Sequence, residues 1–137
     1  MKRTFILATF VVFLLGNFTS CKKQSCPVDE PGIKEILTRD MWKLIKMEEY
    51  DLNHNLTDLT IYHGEKMEFT PNDNFYFYNW DGNLNDAGTY SLLNDPSRLY
   101  IHSGGFDDTF TIDKIDENIL ILSLDSGHDK IILYAGR

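Results

Sequence analysis

The side chains that could do chemistry here are four histidines, two cysteines, two alternating Asp/Asn runs and one strand crowded with aromatic rings. His54, His63, His102 and His128 are scattered, and no His-x-x-x-His or Cys-x-x-Cys spacing occurs. Zinc sites draw nitrogen and sulfur donors from such close spacings, so no metal is expected. Asp51-x-Asn53-x-Asn55 and Asp81-x-Asn83-x-Asn85 place oxygens at alternate positions, as calcium loops do. Their sixth places hold Leu56 and Asp86 instead of glycine, and their twelfth hold Tyr62 and Leu92 instead of glutamate. Turns closed by their own Asx side chains are therefore expected. Glu48 and Glu49 are adjacent, so on a strand they point to opposite faces and cannot act as an acid–base pair. Ser103 and Ser126 lack a nucleophile-elbow context, and Gly104-Gly105 is too short to cradle a phosphate. No catalytic constellation and no cofactor site emerge.

The first cysteine points to a different chemistry. Lys2 and Arg3 precede an apolar run from Phe5 to Leu15, broken only by Thr9. That is the pattern of a secretory signal. The run is shorter than the roughly 20 residues of a spanning helix. An ordinary cleavage after Ser20 would leave bulky Phe18 where a small residue is preferred. Phe18-Thr19-Ser20-Cys21 instead resembles the lipobox of bacterial lipoproteins. The resemblance implies that the Cys21 thiol takes a diacylglycerol and its new amino group an acyl chain. Each buried methylene contributes about 0.8 kcal/mol, and more than one chain anchors stably. Cys26 is then left without a partner in the chain; the alternative is a short disulfide loop joining the two cysteines. The expected location is the bacterial cell envelope, lipid-anchored, with the outer membrane favoured.

The chain accordingly divides into a signal (1–20), a lipid-anchored tether (21–31) rich in Lys, Gln, Ser and Pro, and one domain (32–137). Cleavage removes two of the 13 Lys and Arg, leaving 11 against 21 Asp and Glu, a mature net charge of −10. Such a surface repels nucleic acid and anionic headgroups and tolerates cationic partners.

Within the domain, Gly32 to Met41 could form one or two helical turns with Ile33, Ile36 and Leu37 on one side. Eight β-rich runs follow: 42–50, 60–69, 75–80, 89–93, 98–102, 109–115, 119–124 and 130–134. Asn, Asp, Gly and Pro fill the gaps between them, and most gaps are too short for parallel crossovers. Met67 and Phe69, Phe75 and Phe77, Tyr90 and Leu92, Phe110 and Ile112 each share a face, which reads as half-buried strands. The expected fold is all-β: a single eight-stranded antiparallel up-and-down barrel with a short N-terminal helical segment. Closure removes exposed edges.

The succession Trp42-Lys43-Leu44, Phe69…Phe75, Gly88-Thr89-Tyr90-Ser91-Leu92, Leu99-Tyr100-Ile101, Phe110-Thr111-Ile112, Leu120-Ile121-Leu122 and Tyr134…Arg137 resembles the lipocalin-like domain of bacterial envelope lipoproteins. It covers nearly the whole mature domain, and its most specific pieces are Trp42 and Gly88-Thr89-Tyr90. Asp40 stands two places before Trp42, where lipocalins proper carry glycine. The resemblance implies a barrel with a small internal cavity and an arginine, here Arg137, packed over Trp42 to close one end.

Two functions fit these readings. In the first, the membrane-anchored barrel binds a small apolar ligand among inward rings: Phe69, Phe75, Phe77, Tyr90 and Phe110. In the second, a packed barrel presents Tyr76, Tyr78 and Trp80 to an envelope protein or glycan, since exposed aromatic patches mark binding surfaces.

Overall fold

The computed structural model describes residues 32–93, 95, 97–105 and 107–137. One short helix, α1 (Ile33–Leu37), precedes nine strands. They are β1 (Trp42–Tyr50), β2 (Leu56–Ile61), β3 (Lys66–Phe69), β4 (Asn74–Tyr78), β5 (Leu84–Leu92), β6 (Arg98–Ser103), β7 (Asp107–Ile115), β8 (Ile119–Asp125) and β9 (Lys130–Gly136). All pairings are antiparallel, and each strand from β3 to β9 pairs with the next. β9 returns to β1, from Lys43 opposite Gly136 to Tyr50 opposite Lys130. β1 and β3 to β9 thus close an eight-stranded antiparallel barrel.

One expected strand is two. The run 60–69 is broken between Ile61 and Lys66, and β2 begins earlier, at Leu56. Both pieces lie on the same edge of β1: Lys43 pairs Lys66 of β3, and Lys46 pairs Ile61 of β2. Backbone bonds from Leu44 to Glu65 and from Tyr62 to Ile45 carry the ladder across the break. His63-Gly64 bulges out of it. Gly64 sits at φ +139°, and a Cβ there would come within 3.3 Å of the Trp80 carbonyl. Glycine lets the two backbones approach so closely. Among the described residues the outer edge of β2 has no strand partner.

Bulges also reset the alternation. Trp42 and Leu44 face inward; Ile45 is then an extra residue, half-exposed, and Met47 and Glu49 take the inward positions. On β7, an irregularity between Ile112 and Lys114 does the same, so Ile115 returns to the core side.

The core is built from the inward positions. Trp42, Met67, Phe69, Phe75, Tyr90, Leu99, Ile101, Leu120, Leu122 and Ala135 are buried. The helix covers one end: Leu37 is wholly buried, Ile33 and Ile36 pack on the core, and the indole N–H of Trp42 donates to the Leu37 carbonyl at 3.0 Å. No described helix is long and apolar enough to cross a membrane.

Candidate functional site

The barrel has a filled end and a hollow end. At the filled end the Arg137 guanidinium lies over the Trp42 ring, 4.0 Å from its centroid. It also donates to the Glu117 carbonyl at 2.9 Å and to the Ile36 carbonyl. Both partners arise from chain geometry: Trp42 opens β1 under the helix, and Arg137 follows β9, whose last pairs reach Lys43.

Next to this plug, Phe69, Phe75 and Tyr90 form a packed aromatic cluster. Phe69 is 5.3 Å from Phe75 and 5.2 Å from Tyr90, the latter edge to face at 87°. Such arrangements suit the ring quadrupoles. The Tyr90 hydroxyl donates to the Thr70 carbonyl at 2.8 Å, and burial, with Asp73 nearby, pushes it up to about 12.

Toward the other end lies a cavity of about 240 Å³. Leu44 and Met47 line it from β1, Met67 from β3, Phe77 from β4 and Phe110 from β7. Leu124, Ile131 and Leu133 line it from β8 and β9, and Tyr62 from the β2–β3 break. Gly105 and Asp108, both exposed, border the cavity. The Tyr62 hydroxyl has a weak partner, the Met47 sulfur at 3.8 Å. Desolvation raises its pKa, with Glu65 adding to the effect.

The loop at this rim is held by one carboxylate. Asp86 accepts from Ser103 Oγ at 2.6 Å and from the backbone N–H groups of Gly104 and Gly105 at 3.1 and 2.8 Å. These donors, Ser103 foremost, hold its pKa below the usual carboxylate range.

Of the five inward rings anticipated as ligand contacts, Phe77 and Phe110 line the cavity. Phe69, Phe75 and Tyr90 belong instead to the packed cluster. The outer aromatic set is also divided. Tyr76 and Tyr78 are half-buried, their rings 6.4 Å apart, and Tyr78 donates to Glu68 at 2.8 Å. Trp80, in the turn beyond β4, is 71% exposed. Cys21 and Cys26 lie outside the described residues.

Sequence reasoning passed over the residues that line most of the cavity: Leu44, Met47, Tyr62, Met67, Leu124, Ile131 and Leu133. A signal existed for some, since Leu120, Leu122 and Leu124 alternate, as do Ile131 and Leu133. It also passed over an outer cluster in which Glu48 accepts from Lys46, Tyr50 and Tyr134 at 2.5, 3.0 and 2.9 Å. Lys46 foremost, then Tyr134, keep the Glu48 pKa low. Burial, and then Glu48, push Tyr134 up to about 12.

The two Asp/Asn runs form self-closed turns. Asp51 accepts from the Asn53 and Asn55 backbones at 2.8 and 2.9 Å, and Asp81 from Asn83 at 3.0 Å. Among the described residues no group of three His, Cys, Asp or Glu side chains could hold a metal ion.

Fold and site together define a class: a small closed antiparallel barrel, plugged at one end and hollow at the other. No family model and no curated protein matches the chain.

Proposed function

We propose that this chain is a lipid-anchored envelope protein whose barrel holds a small, mostly apolar molecule in its hollow end. The observation that carries the reading is the apolar cavity. A dry cavity of about 150 Å³ binds benzene, so about 240 Å³ corresponds to roughly ten heavy atoms. That is smaller than the pockets of drug-sized ligands, which start at about 300 Å³. The interior of an eight-stranded barrel is normally just wide enough to be filled by side chains. Here the filling stops at the Phe69–Phe75–Tyr90 cluster. Anchoring rests on the signal-like segment and on the resemblance of Phe18-Thr19-Ser20-Cys21 to a lipobox. The protein holds its ligand without transforming it.

The test is native mass spectrometry of protein purified from its host envelope, with Leu133→Trp as the cavity-filling variant. A small molecule carried by the wild type and lost in the variant is expected. An empty wild type that also takes up no small apolar probe would refute ligand holding. Anchoring is tested separately with a palmitate analogue, which should label the wild type and not Cys21→Ser. A wild type without label would refute the anchor.

Trp80 favours a second reading. It is 71% exposed in the turn that follows β4, and an exposed indole suits contact with an envelope protein or glycan. Trp80→Ala should then weaken capture of that partner and leave the cavity's contents unchanged.

A further inference from the structure

The cavity is apolar, but the side chains at its open end share one sign. Paired residues on antiparallel strands point to the same face. Ile131 lines the cavity and is paired with Glu49, so Glu49 faces inward at the mouth. Asp58 is opposite Glu49 and shares that face. Phe77 lines the cavity and is paired with Asp86. Asp108 lines the cavity itself. Among the described residues, no lysine or arginine falls on this side. Lys43, Lys46, Lys66, Arg98, Lys114 and Lys130 are each paired or flanked so that they fall on the outer face of the wall. Asp86 is engaged by the 103–105 loop, but among the described residues nothing hydrogen-bonds to the carboxylates of Glu49, Asp58 or Asp108. Glu49 and Asp58 even stand directly across from each other, an arrangement that destabilises a sheet.

We infer that the molecule held in the barrel is a cationic amphiphile: an apolar or aromatic body of roughly ten heavy atoms carrying one ammonium group. This rests on the reading of the cavity as a ligand site and adds the charge and orientation of the ligand. The body lies among Leu44, Met67, Phe110 and Leu133. The ammonium sits at the mouth, where Asp108 and Glu49 offset its charge and the faces of Tyr62 and Phe77 attract it. The carboxylates are near solvent, so the ammonium keeps part of its hydration. Among the described residues the Tyr62 hydroxyl donates to the Met47 thioether alone, which leaves its oxygen as an acceptor for one ammonium proton.

Three probes of one skeleton separate the charge from the body: phenylpropylamine, phenylpropanol and phenylpropionate. Binding is measured by titration calorimetry on the full chain in nanodiscs of zwitterionic lipid, with empty nanodiscs subtracted. The amine should bind about tenfold tighter than the alcohol, from an ion pair near solvent plus a cation–π contact, and the carboxylate should bind weakest. In Asp108→Asn/Glu49→Gln the preference of amine over alcohol should fall to about threefold or less, with alcohol binding retained. Because that ratio is taken within one variant, a change in overall stability cancels. Equal binding of all three probes, or tightest binding of the carboxylate, would overturn the inference and leave the apolar site standing. Failure of all three to bind would overturn the site and the inference together.

Discussion

Replacement of Arg137 by alanine tests the plug directly. The guanidinium lies 4.0 Å from the centroid of the fully buried Trp42 ring. A desolvated contact of this kind contributes about 2 kcal/mol. The two hydrogen bonds to the Glu117 and Ile36 carbonyls are charge-assisted and contribute about 1.5–3 kcal/mol each at most. Against them stands the buried Nε, which has no hydrogen-bond partner among the described residues. An unsatisfied buried donor costs about 1–3 kcal/mol. The balance predicts that Arg137→Ala destabilises by about 2–4 kcal/mol, or roughly 8–20 °C in Tm for a domain of this size. Arg137→Lys keeps the charge but not the planar fork and should fall between. Lys130→Ala removes a positive charge from the start of the same strand, where no cation–π contact is seen among the described residues, and should cost about 0.5 kcal/mol or less. Urea unfolding in a Trp80→Phe background lets fluorescence report on Trp42 alone. If Arg137→Ala matches Lys130→Ala, or the Trp42 emission maximum does not move, the plug contributes nothing and the reasoning is wrong.

Three further outcomes follow from the geometry. A Cβ at Gly88 would lie 2.0 Å from the His102 carbonyl oxygen, so Gly88→Ala should cost about 3 kcal/mol or more; an unchanged urea midpoint would contradict this. Glu49→Gln removes the like-charge pairing with Asp58 and should raise stability by about 0.2–1 kcal/mol, less in high salt, whereas a fall in midpoint would show that the repulsion is absent. Tyr90 and Tyr134 have pKa values raised to about 12, so the folded chain holds protons that the unfolded chain releases from about 10 upward. Their contribution is fully present below about 10 and is lost as pH rises toward about 12. Tyr90→Phe should therefore flatten the alkaline decline in stability, and an identical decline in wild type and variant would exclude the role.

Most of the barrel was legible because each strand carries its own two-residue rhythm. Phe75 and Phe77, Tyr90 and Leu92, and Leu120 and Leu122 announce a face wherever they are read. The β2–β3 break was not legible. Tyr62-His63-Gly64-Glu65 differs little from neighbouring strand sequence, and what bulges it is the approach of the Trp80 backbone to Gly64, a contact between distant residues. The parity switch at Ile45 is hidden for the same reason, since a bulge is defined by the partner strand. The candidate site shared this fate. Inwardness can be inferred locally, and Phe69, Phe75, Phe77, Tyr90 and Phe110 all read as inward. Whether an inward ring meets other rings or empty space depends on how eight strands are staggered, and no single strand records that.

The seam between β1 and β9 bears on the order of folding. Every other wall pairing joins strands close in sequence, whereas this ladder unites Lys43 with Gly136 and Tyr50 with Lys130. Bringing such distant segments together costs closure entropy that a hairpin avoids, and long-range β pairing is slow for that reason. The expected order is a zippered meander from β3 to β9 first and circularisation last. Until then β9 carries Ile131-Ile132-Leu133-Tyr134 on an open edge, a segment apt to pair with another chain. Lys130 in front of it, and Lys46, Glu48 and Glu49 on the opposing edge, are charges of the kind that deter such pairing. Pulse-labelled amide exchange during refolding should protect β5–β8 before the β1–β9 ladder; simultaneous protection would mean that the ring closes in one step.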